Sequence, residues 1–380
     1  MLFSIKIDRS RTTMKFDLFC LMQKRDETWS MRDVFKDVET SVKLAEQIGC
    51  ETAWFAEHHF NNYSLCPSPL MSVSYFSGIT STIRLGTAVV VVPFYHPMRL
   101  LQEIGMADVM SNGRLVLGIG SGYQGYEFKR FDRKIENAVE LTHEFLDMAE
   151  LAFTQDEFEY HGKHYDYPLT QLAIKPIQKP MPEIWVAGLM SQPNIQERVA
   201  RSGYIPMLTP SWKPIDSISG ARTAYQDLYR QVGRDPNQLP MGLMRFIHVT
   251  ENPKEAREAA ERARYSSRVS LSLRLDYAKF NGIYCEDIES DSEPPVEQMM
   301  DNYIIGSAEE CAEKILMDYE CMRHSHVLMN VQLGGIPTER VQRTMETIGA
   351  EVIPMVNKEL AAQGSVDPVI DQRPTVTVAA

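Results

Sequence analysis

The chain has 380 residues, of which 44% are hydrophobic and 24% are charged. These values are ordinary for a globular protein and exclude collagen-like, wholly disordered and membrane-embedded classes. The 39 basic and 51 acidic residues give a net charge of −12, which argues against nucleic acid or an anionic membrane as a partner, because both require a basic footprint.

Six cysteines are scattered along the chain and none forms a C-x-x-C pair. We therefore expect reduced thiols in a cytoplasmic protein, and neither a disulfide framework nor a zinc site. No apolar run approaches the roughly 18 residues that a membrane-spanning helix needs. Residues 1–13 lack the apolar segment of a secretory signal, so we expect an over-long start or a loose N-terminal arm.

Strand-like and helical segments alternate from Met14 onward. Apolar runs typical of strands occupy residues 15–22, 52–56, 83–93, 115–119, 184–187, 205–208, 241–250 and 326–332. Helical periodicity, caps or glycine stops mark residues 33–48, 67–78, 97–112, 135–153, 192–201, 218–232, a helix opening at Asn252-Pro253, 307–322 and 337–356. Alternation predicts a parallel sheet, and eight units favour a (β/α)8 TIM barrel. An open doubly wound sheet stays the alternative, because strand order is not visible in the sequence.

We expect a single domain over residues 14–360 with two insertions. Residues 156–182 are polar, aromatic and proline-rich, and predict a surface hairpin that turns at Gly162-Lys163. Residues 269–305 are predicted to be an irregular, acidic insertion or lid, with the run 286–293 in solvent. Residues 361–380 lack apolar periodicity and predict a flexible tail.

The motif Glu57-His58-His59-Phe60 follows the second predicted strand, at the barrel end where active sites lie. Neighbouring residues of an extended segment point in opposite directions, so both histidines can hardly bind one metal ion, and no HExxH spacing is present. We therefore expect no metal. A histidine at this position suits proton transfer, and the alternative is a structural, hydrogen-bonded histidine.

Two glycine-containing loops follow later strands. Gly118-Ile119-Gly120-Ser121-Gly122 is not a dinucleotide fingerprint, because Tyr123 stands where the last glycine is needed. The glycines permit close backbone approach to a flat or phosphorylated ligand, and the alternative is a tight turn. In the segment from Ala187 to Pro193, backbone N–H groups and Ser191 suit a phosphate, and the alternative is an ordinary helix cap.

Taken together, these motifs resemble the bacterial luciferase-like flavin-dependent monooxygenases. The similarity is most specific over residues 15–131 and becomes weaker toward residue 356. It rests on an ordered set of segments: Glu57-His58-His59-Phe60, Leu85 to Pro93, His96-Pro97 with Arg99, Asp108 to Arg114, and Leu117 to Gly120.

The resemblance implies a TIM barrel that binds reduced FMN supplied by a separate flavin reductase. Oxygen then adds to the flavin C4a position, and the resulting peroxide oxidises a small organic substrate. His58 takes the catalytic position and His59 is a supporting candidate. A non-prolyl cis peptide is implied at Ala88-Val89. The cofactor-binding positions implied are Ala88, Val89, Gly120, Ser121, Gly122, Tyr123, Gly188, Met190 and Ser191. A homodimer packed through the early helices is also implied.

Two departures from luciferase bear on the cofactor. Gly120 replaces a reactive cysteine, and Ser121 and Val139 replace arginines that hold the FMN phosphate. Lys129 or Arg130 is a candidate replacement cation. The deazaflavin F420, used by some members, is the alternative cofactor and would make the protein an F420-dependent oxidoreductase. A third hypothesis is a flavin-binding barrel without catalytic activity. Light emission is not implied, and the substrate and the type of oxygenation stay open.

Overall fold

The computed structural model describes residues 14–188, residues 193–363 and the short strand Thr375–Val376. The predicted N-terminal arm, residues 1–13, lies outside the described residues. The central sheet of the described chain has ten strands, and eight of them, all parallel, form the barrel. They are β1 Lys15–Cys20, β2 Thr52–Phe55, β3 Arg84–Thr87, β4 Leu115–Gly120, β5 Ile184–Ala187, β6 Ile205–Leu208, β7 Gly242–Val249 and β8 His326–Asn330.

Each of these strands pairs in parallel with the next one along the chain, and β8 pairs with β1. The sheet is therefore closed. This closure confirms the (β/α)8 barrel and excludes the open doubly wound sheet. One predicted strand was too long, because the run 83–93 is interrupted after Thr87 and continues as the short strand Val90–Val91 beside β4.

Twelve α-helices are found in the described ranges. They are α1 Met31–Gln47, α2 Pro69–Ser77, α3 Pro97–Met110, α4 Gly125–Arg130, α5 Ala138–Thr154, α6 Pro193–Ser202, α7 Ser219–Gln231, α8 Pro253–Arg274, α9 Val296–Asn302, α10 Ala308–Met322, α11 Thr338–Thr347 and α12 Ile353–Ala362. The remaining strands are Phe158–His161, Asp166–Thr170, Gln178–Lys179, Phe280–Asn281, Tyr284–Cys285 and Ile304–Gly306.

The predicted helix starts are confirmed by their caps. The Ser307 side chain accepts the Glu310 N–H at 3.2 Å, and the Glu310 carboxylate accepts the Ser307 N–H at 2.8 Å, which is a complete capping box. At the start of α8 the Asn252 side chain accepts the Lys254 N–H at 3.0 Å, directly before Pro253.

Two buried tryptophans fill the lower part of the barrel. The rings of Trp54 and Trp185 lie 4.8 Å apart, and each faces a glycine, Gly86 on the neighbouring strand β3 for Trp54 and Gly242 on β7, beyond β6, for Trp185. A Cβ at Gly86 would lie 2.3 Å from the Trp54 ring, and a Cβ at Gly242 would lie 2.3 Å from the Trp185 ring. The two glycines therefore make room for the indoles, and the packed floor confines any ligand to the carboxyl end of the barrel.

The predicted irregular insertion at 269–305 is wrong at both ends. Helix α8 continues to Arg274, because Val269 and Leu273 bury an apolar face that the surrounding serines and arginines hide in the sequence. Helix α9 and the strand Ile304–Gly306 occupy the other end. Between α8 and α9, residues 275–295 contain only the two short strands Phe280–Asn281 and Tyr284–Cys285 and irregular backbone.

The acidic run 286–293 is not simply solvated. Asp287 accepts a hydrogen bond from the Arg268 guanidinium at 2.9 Å, and Glu293 forms a second ion pair with the same group. Arg268 and Glu293 are 9% and 7% exposed at their side chains. The acidic segment is therefore bound to α8, since a buried guanidinium requires such partners.

The predicted hairpin in 156–182 is present. Strand Phe158–His161 pairs antiparallel with Asp166–Thr170, and the turn lies at the predicted position. Glu144 on α5 accepts the backbone N–H of Lys163 at 2.9 Å and that of Tyr165 at 3.0 Å. These hydrogen bonds fix the hairpin to the barrel's helical layer.

The predicted flexible tail is partly contradicted. Thr375–Val376 pair antiparallel with Gln178–Lys179, and the two short strands form a separate two-stranded sheet. Helix α12 extends to Ala362, and residues 364–374 and 377–380 lie outside the described part. No helix among the described residues is long and apolar enough to cross a membrane.

The buried ring of His324 predicts a pH-dependent stability. Burial and the guanidinium groups of Arg245 and Arg222 lower the pKa of His324 from 6.5 to about 3. Since the unfolded chain binds this proton and the folded chain does not, the free energy of unfolding should fall as the pH decreases from 6.5 toward 3. The substitution His324→Phe should remove up to about 1.4 kcal/mol per pH unit from that slope. Urea unfolding between pH 4 and 6 measures it, and an unchanged slope contradicts the assignment.

Candidate active site at the carboxyl end of the barrel

Loops after neighbouring strands meet at the carboxyl end of the barrel. Strand β2 leads into Glu57, His58 and His59, and β4 leads into Ser121 to Tyr123. Strand β3 pairs with both β2 and β4, so these loops are adjacent. The peptide bond Ala88–Val89 after β3 is cis, as the resemblance implies.

The predicted positions after β5 are only partly described. Gly188 is exposed and has a φ of +84° directly after β5. Met190 and Ser191 lie outside the described residues. The structure thus brings together the predicted positions on the loops after β2, β3 and β4.

His58 is held at one ring nitrogen. Its Nδ1 lies 3.2 Å from Glu127 Oε1 and its side chain is 11% exposed. The ring packs 4.7 Å from the Tyr63 ring and 5.8 Å from the Tyr123 ring, measured between centroids. Within the described chain, Nε2 of His58 forms no hydrogen bond. This second nitrogen is therefore available to a ligand.

The Glu127 carboxylate fixes which nitrogen of His58 carries the proton. A carboxylate oxygen accepts hydrogen bonds and does not donate them, so Nδ1–H of His58 donates to Glu127. The side-chain amide of Gln124 lies 3.0 Å from the same Nδ1. The atom at this distance is the amide nitrogen Nε2, and we assign the reverse orientation of the amide, because an amide N–H cannot donate to a nitrogen that already carries a proton. Neutral His58 then presents an unprotonated Nε2 to the mouth of the barrel.

His59 is directed into the protein. Its backbone N–H donates to Glu127 Oε1 at 2.8 Å, and its Nε2–H donates to Glu57 Oε1 at 2.9 Å. The ring lies edge-on to Phe131 at 4.7 Å between centroids. These contacts fix the ring of His59 inside the protein, and the supporting role that the resemblance implies for it stays a prediction.

Glu57 connects the histidine loop to the chain after the cis peptide. Its Oε2 accepts the Val91 N–H at 3.1 Å and the Tyr95 hydroxyl at 3.0 Å. Burial raises the pKa of Glu57, while the hydrogen bond from His59 acts in the opposite direction. These three hydrogen bonds hold the histidine loop and the chain after the cis peptide in fixed positions through Glu57. Among the described residues, no group of three or more His, Cys, Asp or Glu side chains is arranged to hold a metal ion.

Three residues of the site, Gln124, Glu127 and Tyr63, were not predicted from the sequence. Gln124 is the N-cap residue of α4 and Glu127 lies in its first turn, so both reach back toward the histidine loop. The signal in the sequence was the i, i+3 spacing of Gln124 and Glu127 directly after the glycine loop, because this spacing places two side chains on the same face of a helix. A glutamate in a short polar helix is more often solvated, and this one is buried.

An apolar wall lines one side of the mouth. The side chains of Ala88, Ala187 and Met244 pack on the barrel's inner cluster and are partly exposed toward the mouth. A Cβ at Gly120 would lie 2.5 Å from Val89 Cγ2, so Val89 occupies the space of the side chain that luciferase has there. Because Gly120 has no side chain that would project from this apolar surface, a flat ring can lie against it.

The phosphate end of a flavin has no identified cation in the described chain. Val139 packs on the hydrophobic core, and Ser121 is partly exposed at the mouth. Lys129 forms an ion pair with Asp276 at 3.1 Å. The Arg130 guanidinium stacks on the Tyr126 ring at 3.3 Å from its centroid. The described residues at the apolar wall therefore fit the ring of a flavin, and the binding of its phosphate stays a prediction for the loops of Ser121 and Gly188.

A cap covers part of the mouth. It consists of the hairpin Phe280–Cys285, which the buried side chain of Asn62 holds in place. The Asn62 amide oxygen accepts the Cys285 N–H at 2.8 Å, and its nitrogen donates to the Lys24 carbonyl at 2.8 Å. The Phe280 ring stacks on Tyr126 at 4.5 Å between centroids. One side chain thus joins the loops after β1 and β2 to the hairpin.

Comparison with known proteins agrees with this architecture. The sequence profile of the luciferase-like monooxygenases matches residues 14–323. The protein y4vJ of Sinorhizobium fredii is 35% identical, over 91% of this chain and 99% of its own length. The oxygenase component of the flavin-dependent trigonelline monooxygenase of Acinetobacter baylyi is 25% identical, over 90% of this chain and 95% of its own.

A solved structure shares the fold. The monooxygenase RslO1 from Streptomyces bottropensis superimposes with a TM-score of 0.78 at 21% identity, covering 90% of this chain and 99% of that chain. The profile match over most of the residues, together with the closed barrel, shows that the chain belongs to the luciferase-like monooxygenase family.

Proposed function

We propose that this chain is the oxygenase component of a two-component monooxygenase that uses reduced FMN and O2 to oxidise a small organic substrate. The observation that carries the proposal is the placement of His58 Nε2, which has no hydrogen-bond partner among the described residues, at the mouth that holds the apolar wall. Family membership supports a flavin-dependent oxidoreductase.

Each part of the site has a separate task in this proposal. Ala88, Val89 and Gly120 provide the surface on which a flavin ring lies. Reduced flavin, when bound, supplies the electrons that activate O2. His58 accepts or returns a proton at Nε2, and Glu127 keeps Nδ1 protonated so that the free nitrogen faces the reacting atoms. The cap formed by Phe280–Cys285 limits the entry of water.

We propose that a separate reductase supplies the reduced flavin. The relative from Acinetobacter baylyi is named as an oxygenase component, which supports a partner that delivers the reduced cofactor. We propose FMN over F420, because the relative from Acinetobacter baylyi, which matches 90% of this chain, is named as flavin-dependent.

Anaerobic equilibrium binding tests the cofactor assignment. Photoreduced FMN, oxidised FMN and F420 are titrated separately into the chain, and air is then admitted. Micromolar binding of reduced FMN, followed by flavin reoxidation with a rate different from that of free reduced FMN, supports the proposal. Tight F420 binding without reduced FMN binding would instead support the F420-dependent oxidoreductase. Flavin binding with no product across a broad substrate panel would support the non-catalytic barrel.

The substitution His58→Gln should slow substrate oxidation by about 10²- to 10⁴-fold, because the amide cannot exchange a proton at neutral pH. Affinity for reduced FMN should change by less than about threefold, since the wall is untouched. Product formation is measured with reductase, NADH and O2.

His96→Gln is the matched control, because it makes the same change at an exposed histidine. It should retain the full rate. An active His58→Gln variant would remove the catalytic assignment.

We also propose a homodimer that packs through α1, α2 and α3. Large apolar side chains are exposed on these helices, including Met71 at 72%, Tyr75 at 55% and Met106 at 52%. Helices α2 and α3 contact each other, and Tyr75 donates a hydrogen bond to Glu39 of α1 at 3.1 Å. An exposed apolar surface of this kind is typical of a protein–protein interface, and a second copy of the chain is the occupant we propose.

The double substitution Met71→Glu with Met106→Glu should weaken the dimer at least about tenfold, because it places charges in a desolvated interface. Light scattering at micromolar concentration measures the mass. Met317→Glu is the control, since Met317 is 62% exposed on α10. A monomeric wild-type chain, or a double variant that stays dimeric, would refute the proposed interface.

A further inference from the structure

A guanidinium group lies beside the mouth next to His58. The Cζ of Arg274, at the end of α8, is 4.5 Å from the centroid of the Tyr123 ring. That ring is 5.8 Å from the His58 ring. Arg274 is therefore separated from the proposed proton-transfer group by one aromatic side chain.

Hydroxyl groups complete this cluster. The Tyr63 hydroxyl interacts with the hydroxyls of Tyr123 and Ser270. Burial raises the pKa of both tyrosines, which keeps the phenols neutral and able to donate. Tyr63, Tyr123 and Ser270 are partly exposed, so the group faces an accessible space.

The charge of Arg274 is not balanced by a carboxylate. Among the described residues, Arg274 takes part in no ion pair, whereas Arg262 and Arg268 on the same helix are both paired with glutamates. Asp276, two residues further on, pairs with Lys129 instead. An uncompensated guanidinium at the mouth of a chain with a net charge of −12 provides local attraction for an anion that the overall charge would repel.

We propose that Arg274, Tyr123, Tyr63 and Ser270 form an oxyanion subsite that orients a substrate carboxylate beside His58. A guanidinium and phenol hydroxyls supply hydrogen-bond donors in the arrangement that a carboxylate or phosphate requires. The inference rests on the proposed function, because it takes the mouth as the place where substrate is oxidised.

The same chemistry would suit the phosphate of a flavin. The position of the cluster favours the substrate. Tyr63 follows β2, and Arg274 and Ser270 lie on the helix after β7. Tyr123 shares the loop after β4 with the expected phosphate position Ser121, whereas the other expected phosphate position, Gly188, follows β5. Strand β2 is separated from β5 by β3 and β4 in the closed sheet. When a flavin phosphate binds near Gly188, the cluster around Arg274 remains open to bind a second anion.

Matched acid and amide pairs test the subsite without turnover. Benzoate with benzamide, and hexanoate with hexanamide, are titrated by ligand-observed NMR into the wild type and into Arg274→Gln. We expect at least one acid to bind the wild type about tenfold or more tightly than its amide, and Arg274→Gln to remove most of that preference. The control is Arg257→Gln, which makes the same change at an exposed, ion-paired position of α8 and should keep the wild-type preference.

Reduced FMN and reduced riboflavin distinguish the two sources of the anion. We expect the FMN-over-riboflavin preference of the wild type to persist in Arg274→Gln. If that preference is lost, the anion is the flavin phosphate and the substrate assignment is overturned. The assignment is also overturned if no acid binds, or if acid and amide bind equally. Acid binding without any flavin binding would refute the proposed function while leaving the subsite in place.

Discussion

The hydrogen bonds of one buried carboxylate determine the arrangement of the mouth. Glu127 accepts from Nδ1–H of His58 and from the backbone N–H of His59, so a residue on the helix after β4 sets both the ring of one histidine and the backbone of the next. The same turn directs His59 inward to Glu57, and Glu57 in turn holds the chain after the Ala88–Val89 peptide. Two carboxylates thus connect the loops of three neighbouring strands. This explains how adjacent histidines, which point in different directions, take different tasks: the partly buried ring of His58 reaches the mouth, and His59 fixes the loop.

The surroundings of His58 form a compartment with distinct sides. Below it, Trp54 and Trp185 close the barrel, because Gly86 and Gly242 leave room for their rings. On one side lies the wall near the cis peptide, smooth because position 120 has no side chain. On the other side lie Tyr63, Tyr123 and Arg274, which supply donors. Asn62 holds the covering hairpin to two loops at once. A flat cofactor and an anionic substrate can therefore approach the same nitrogen from different directions, which is the geometric requirement of the proposed reaction.

The fold was predictable because barrel strands and helices bury continuous apolar faces, and these dominate the sequence pattern. The predictions were wrong where a polar sequence carries a sparse apolar face, as in α8 between Val269 and Arg274, and where the charges of 286–293 find a buried partner in Arg268. In the site, motifs located His58, His59 and the glycine loop. They could not locate Glu127, Tyr63 or Arg274, since each of these is distant in sequence from His58 or lies in an unremarkable polar segment, and only folding brings them to its ring. Composition does not distinguish a buried glutamate from a solvated one.

The central claim is that Glu127 keeps the proton of neutral His58 on Nδ1 and leaves Nε2 open to the mouth. Long-range ¹H–¹⁵N NMR of histidine-labelled protein reports this directly, with the His58 signals assigned from the His58→Gln spectrum. The account predicts the Nδ1–H tautomer for His58 in the wild type and a shift toward Nε2–H in Glu127→Leu, which removes the acceptor. An Nε2–H tautomer of His58 in the wild type would contradict the account, because the nitrogen facing the mouth would then be unable to accept a proton.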